Sequence, residues 1–163
     1  MTRAGQDGFT LIEGMLAGVV LAVGLLALAS MQSMSLGRNV DANEVTRVTN
    51  MAADMLERIQ FNRARAAAYN AIDTLNAATQ PPATEGMARG DYTQWQTLLN
   101  NSGLTGVQGL VTVTALDPNP AVNPVTLNRS QVAVTINWVG SVKSETSVRR
   151  NKTMTLITIV APE

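Results

Sequence analysis

The chain has 163 residues, a formal net charge of zero, 45% hydrophobic residues, and neither cysteine nor histidine. That length suits one domain with room for an element outside its core, and the charge balance carries no nucleic-acid footprint, which would need a basic patch or stripe. Without His and Cys there are no imidazole or thiolate zinc sites, no Ser-His-Asp triad, no Cys-His dyad and no disulfide.

Residues 1–8, MTRAGQDG, are polar and glycine-containing. Phe9 to Met31 follows as a predominantly apolar run with one charged residue, Glu13, and no charged residue occurs from Gly14 to Gly37. About 20 such residues span a bilayer as a helix. A secretory signal peptide is the alternative. The run is longer than a typical h-region and carries Glu13 near its start. No convincing small-x-small cleavage site follows it, although Ala27, Ala29 and Ser30 are suitable residue types. A retained helix is the reading preferred.

Beyond Arg38, apolar residues recur at threes and fours: Val40, Val45, Val48, Met51, Met55 and Ile59, with Ala52 and Leu56 beside them. That is the stripe of an amphipathic helix. Glu44–Arg47 and Asp54–Arg58 are candidate charge pairs along it. No proline precedes Pro81, so one helix from about Phe9 to the mid-60s or 70s is expected, with any break near Gly37.

Residues 77–90 read as a loop, punctuated by Pro81–Pro82, Gly86 and Gly90. Asp91 is placed to cap a short helix through Leu99. The period then shifts to two. LVTVTAL (110–116) and QVAVTINWV (131–139) alternate, the second with Val132, Val134, Ile136 and Trp138 on one face. KTMTLITIV (152–160) is rich in β-branched residues, but its alternation slips near Leu156–Ile157, which suggests a bulge or two half-buried faces. Turn-rich DPNPAVNP and polar GSVKSETSVRRN connect the three, as in an antiparallel meander. The expected fold class is α+β. A long N-terminal helix, apolar in its first half and amphipathic in its second, packs on an antiparallel sheet of three to four strands. The expected divisions are a leader over 1–8, a transmembrane helix over 9–37 and a globular region over 38–163.

Gly8-Phe9-Thr10-Leu11-Ile12-Glu13, directly before an apolar span, resembles the class III signal of type IV pilins and pseudopilins. The apolar helix and the Val-Thr-Ile-Asn-Trp strand further resemble the minor pilin PilV group. The resemblance implies a pilin-like fold and cleavage after Gly8 by a prepilin peptidase, with methylation of the new amino terminus at Phe9. It implies that Glu13 pairs with the terminal amine of a neighbouring subunit during assembly. The implied partners are other pilin subunits, the inner-membrane assembly platform, and membrane lipid before assembly. The implied location is the bacterial inner membrane as a precursor, leader cytoplasmic, and then the pilus on the cell surface. Elementary physics agrees with these roles. Glycine lets an extended peptide lie close in a protease cleft, and a carboxylate at the edge of an apolar helix needs a partner. The leader offers only Arg3 and its amino terminus as positive charge, with Asp7 opposing, so the positive-inside rule is nearly silent on orientation.

Gly14 and Gly18 fit a small-residue helix-packing motif, or simply the glycine abundance of membrane helices. Trp95 and Trp138 read as core before they read as a binding surface. Lys143, Arg149, Arg150 and Lys152 form a mildly basic cluster that could meet a partner subunit or DNA, a solvated hairpin being the default. No Asp/Glu spacing suggests a catalytic pair, and no catalytic residue, metal ligand or cofactor is expected. The expected function is a minor type IV pilin that helps initiate or modify the pilus. The alternatives are a minor pseudopilin of type II secretion and a tip adhesin or DNA-binding pilin.

Overall fold

A computed structural model describes residues 10–117, 128–143 and 149–162. Gly8 and Phe9 lie outside the described residues, as do residues 118–127 and 144–148 of the two inter-strand connections. The chain divides into two units, Met1–Asn39 and Val40–Glu163.

Helix α1, Leu11–Phe61, is uninterrupted at Gly37. In its first unit every side chain from Thr10 to Leu36 is exposed. The stretch is long and apolar enough, by length and composition, to cross a membrane. Glu13 sits in the first turn, where a negative charge complements the helix dipole.

In the second unit α1 buries Glu44, Val48, Met51, Ala52, Met55 and Ile59. The expected stripe therefore shifts. Val40 and Val45 remain 45% and 38% exposed, and the stripe opens instead on a carboxylate, for reasons given below. Burying side chains such as Val48, Met55 and Ile59 stabilises by about 1.5–3 kcal/mol each. After Phe61 the chain tightens into a 3-10 segment, Arg63–Tyr69, in which Arg65 leaves helical geometry. It then gives a two-residue strand β1, Ile72–Asp73, that the sequence pattern did not single out.

Helix α2 runs Gly86–Asn100, so it begins five residues before the expected cap at Asp91. Gly86 and Gly90 read as loop punctuation. Their cost is offset because Ala88, Tyr92, Trp95 and Leu99, spaced by four, three and four, are all buried. Asp91 is inside the helix and serves another purpose. Its carboxylate accepts the Tyr69 hydroxyl at 2.5 Å and Arg58 Nη1 at 3.3 Å. Burial and that bond to Asp91 both push the Tyr69 hydroxyl pKa up.

Strands β2 (Thr105–Ala115), β3 (Ser130–Lys143) and β4 (Arg149–Val160) follow. The sheet order is β1-β2-β3-β4, every pair antiparallel. The suspected slip in β4 is absent. Its register with β3 is regular from Ser130↔Val160 to Val139↔Asn151, and the irregularity lies beyond, between Val139 and Lys143. Thr153, Thr155, Ile157 and Ile159 are exposed, while the residues between them are partly covered. Ile157 thus breaks the polar-out pattern in chemistry, not in geometry.

The sheet face towards α1 and α2 carries Val111, Val132, Val134, Ile136 and Trp138, all buried. Trp95 is fully buried and donates Nε1–H to the Met51 carbonyl at 2.9 Å, which ties α2 to α1. Its ring lies over Gly109 of β2. A Cβ there would run into that ring and come within 2.7 Å of Leu99, so the close approach requires glycine. Both tryptophans are core residues, as expected from the strand face and the size of the side chain.

Candidate functional site

Glu13 is exposed, and among the described residues no group bonds to its carboxylate. Its turn is closed by the Glu13 and Gly14 amides, which donate to the Thr10 carbonyl at 3.0 and 3.2 Å. At about 100° per residue, Gly24, Ala17, Gly14 and Gly18 fall within roughly 140° of Glu13 around the helix. That arc also holds Leu21, Leu25 and Leu28, so the carboxylate heads a face on which small residues alternate with leucines. A Cβ at Gly14, Gly18 or Gly24 would meet nothing within 4 Å, and Gly14 and Gly18, one turn apart, have the spacing that lets another helix approach closely. Gly14 and Gly18 were read from the sequence. Ala17 and Gly24 were not, although the same angular arithmetic places them on the Glu13 face.

The second unit holds a separate charged centre around Glu44, which is 5% exposed. Its carboxylate accepts the Ser141 amide at 2.8 Å, the Trp138 indole N–H at 3.2 Å and the Lys152 ammonium at 3.3 Å. Lys152 also donates to Asp41 at 2.7 Å. Burial opposes the charge on Glu44. The bonds from Ser141, Trp138 and Lys152 outweigh it and hold the pKa at about 2. Burial likewise opposes charge on Lys152, and the bonds to Asp41 and Glu44 overcome it and raise its pKa. A carboxylate is tolerated in the buried stripe because three donors from the sheet satisfy it. This also explains why the expected Glu44–Arg47 pair does not form. Arg47 turns instead to the Ser102 carbonyl at 2.7 Å and to Asn43 at 3.1 Å. The Asp54–Arg58 pair forms at 2.8 Å.

Of the basic cluster, Lys152 is thus engaged with helix α1. Lys143 is the register partner of Arg149 across β3 and β4, and Arg149 and Arg150 are exposed. A concavity of about 550 Å³ is lined mostly by alanine and proline between residues 64 and 85. Its charged lining residues, Arg65 and Glu85, bond to each other at 2.9 Å. Among the described residues no cluster of His, Cys, Asp or Glu could hold a metal ion.

No family model, no curated protein and no solved structure matches the chain.

Proposed function

We propose that this protein is a minor type IV pilin, a structural subunit that helps initiate or modify a pilus after prepilin peptidase cuts behind Gly8. The observation that carries this reading is Glu13 at the head of an exposed apolar helix, immediately after GFTLI, with the same helix continuing into a stretch that seats a four-stranded antiparallel sheet. A carboxylate on an apolar helix is costly in a bilayer unless paired. The methylated amine of Phe9 on a neighbouring subunit supplies the opposite charge, and the attraction strengthens where water is excluded. Gly14 and Gly18, one turn apart, allow the neighbouring helix to approach. The subunit is proposed to wait in the inner membrane, leader inside, and to meet the assembly platform there before it enters the fibre.

Mass spectrometry of the mature protein tests the reading at its firmest point. The expected amino terminus is N-methylated Phe9. An intact Met1 or Thr2, or a cut near Ala29, would overturn it. Glu13→Ala is expected to be processed normally but lost from sheared pili, and Gly8→Leu to remain unprocessed. Normal processing and normal piliation with both variants would remove the assembly role. If a deletion strain keeps its pili and loses exoprotein secretion, the same N-terminus belongs to a pseudopilin. The DNA-binding reading has less support, since Lys152 is held by Asp41 and Glu44.

A further inference from the structure

The second unit is polarised along its helix. Lys152, near the start of β4, bonds to Asp41 at 2.7 Å, and Thr158, near its finish, accepts Gln60 at 3.3 Å, so β4 runs in the same direction as α1. Trp138 and Ser141, late in β3, donate to Glu44, and the Ser102 carbonyl behind α2 accepts Arg47. The end of this unit at which α1 enters therefore gathers the last residues of β3, the first of β4 and the turn from α2 into β2. Cations project from it on the β3–β4 hairpin. Arg149 and Arg150 are exposed, and Lys143 is the register partner of Arg149. At about 3.4 Å per residue, Arg149 stands roughly 10 Å beyond the Lys152–Asp41 contact. Val40, the first residue of the unit, is only about 1.5 Å of helix beyond it.

Negative charge at this end is already answered. Among the described residues the acids here are Asp41 and Glu44, and Lys152 bonds to both. From Leu98 to Leu116, through the turn into β2 and along that strand, no residue is charged. Lys152 is thus engaged within the fold. The hairpin from Lys143 to Arg150 still carries three cations against one acid, Glu145, which lies outside the described residues.

We propose that this hairpin is a seat for the anionic headgroups of the membrane from which α1 emerges, with Arg149 and Arg150 as the contacting cations. The proposal rests on the reading of the apolar stretch as membrane-spanning. Reach selects lipid. The uncharged run ends at Gly37, four residues before Asp41. However the chain runs between them, four residues span at most about 14 Å. Covalent connection alone therefore keeps the hairpin end of the unit near the bilayer surface. Basic residues beside a span attract anionic lipid, and the attraction fades within a Debye length, so proximity is the requirement and the chain supplies it. Tethering also explains why few cations suffice. A small basic patch on a free domain binds a membrane weakly, whereas the same patch beside an anchor binds intramolecularly. A nucleic acid would need a larger basic footprint. The contact orients the unit on the membrane before assembly.

The chain has no cysteine, so one fluorophore can be placed at a chosen site. In full-length protein in lipid nanodiscs, a label at Asn151→Cys is read for quenching by a fixed trace of headgroup-spin-labelled lipid. Thr114→Cys, exposed near the other end of β2, is the control. With about a third of phosphatidylglycerol in phosphatidylcholine, quenching at 151 is expected to rise several-fold over phosphatidylcholine alone, and quenching at 114 to stay unchanged. Arg149→Gln with Arg150→Gln is expected to return 151 to its neutral-lipid value, and Arg149→Lys with Arg150→Lys to keep most of the rise. Raising salt to about 1 M, where the screening length falls to roughly 3 Å, is expected to act like the Gln pair. All the substituted positions are exposed, so an unchanged thermal melt certifies the fold of each variant. Quenching at 151 that is indifferent to phosphatidylglycerol overturns the proposal, as does a rise that survives the Gln pair or appears equally at 114. Duplex DNA bound by the chain in neutral discs, and lost with the same Gln pair, would assign the cations to nucleic acid and overturn it too. Insertion is scored separately, by co-elution with the discs. A chain that inserts and shows no lipid-dependent rise removes the seat and leaves the pilin reading standing; a chain that does not insert removes the spanning stretch on which both rest.

Discussion

The two stretches of helix α1 share a backbone and follow opposite rules. From Leu11 to Met31 the side chains are nearly all apolar and all exposed; from Val40 to Phe61 one stripe, Val48, Met51, Ala52, Met55 and Ile59, is buried, and the Glu44 carboxylate is buried with it. Exposed apolar surface on that scale calls for a surrounding other than water, a bilayer or a bundle of like helices. A buried carboxylate calls for donors at fixed positions, and the sheet provides them. The difference teaches that helix propensity says little about the role of a helix; what meets its side chains decides it.

The sharpest way to break that contrast is to truncate one large side chain in each unit. Trp95→Ala removes a fully buried ring and its bond to the Met51 carbonyl, and is expected to cost about 3–5 kcal/mol, read from denaturant unfolding of the second unit. Leu21→Ala, in the exposed stretch, is expected to leave the same transition within about 0.5 kcal/mol. An equal effect from both would mean that the apolar stretch also contributes to the folded core.

The next largest effect belongs to Glu44. Its pKa is held at about 2 in the folded chain against an ordinary value of 4.5. A lowered carboxylate pKa stabilises fully above the unfolded value, and the contribution is lost as pH falls from about 4.5 towards 2. The shift corresponds to about 3 kcal/mol. Unfolding free energy measured over pH 2–6 is expected to fall on the acid side in the native chain and to flatten in Glu44→Gln. A slope unchanged by that substitution would assign the acid sensitivity to other carboxylates.

Gly109→Ala follows. The added methyl meets the Trp95 ring and Leu99, and overpacking of this kind costs about 1–3 kcal/mol. A variant as stable as the native chain would show that Trp95 can retreat. Smallest is Asp54→Ala. Arg58 keeps Asp91 and Gln94 as partners, and a part-exposed i,i+4 pair is worth only about 0.3–0.5 kcal/mol. A double-mutant cycle with Arg58 is expected to return a coupling of that size.

Much of the fold was legible because periodicity is local. The 3.6 period of α1, the 2.0 periods of β2 and β3, and the burial of Trp138 follow from side-chain spacing alone. Early α2 was not legible, since Gly86 and Gly90 argue against a helix and only the burial of Ala88 and Tyr92 overrules them. Nor was β1, because two residues carry no period. The stripe was misread at Val40 and Val45 because hydrophobicity was taken as the mark of burial, while the sheet reserves that place for Glu44.

By itself, then, the sequence determined the uncharged apolar stretch, the position of Glu13 at its head, the α+β order and the resemblance carried by Gly8 to Glu13. These depend on neighbours along the chain. Only the tertiary structure decided that Glu44 is buried among Ser141, Trp138 and Lys152, that Trp95 rests on Gly109, and that β4 ends the sheet with Ile157 and Ile159 facing outward. Each of those joins residues far apart in sequence, where side-chain spacing carries no information and only the packing of helix against sheet, or strand against strand, selects the partner.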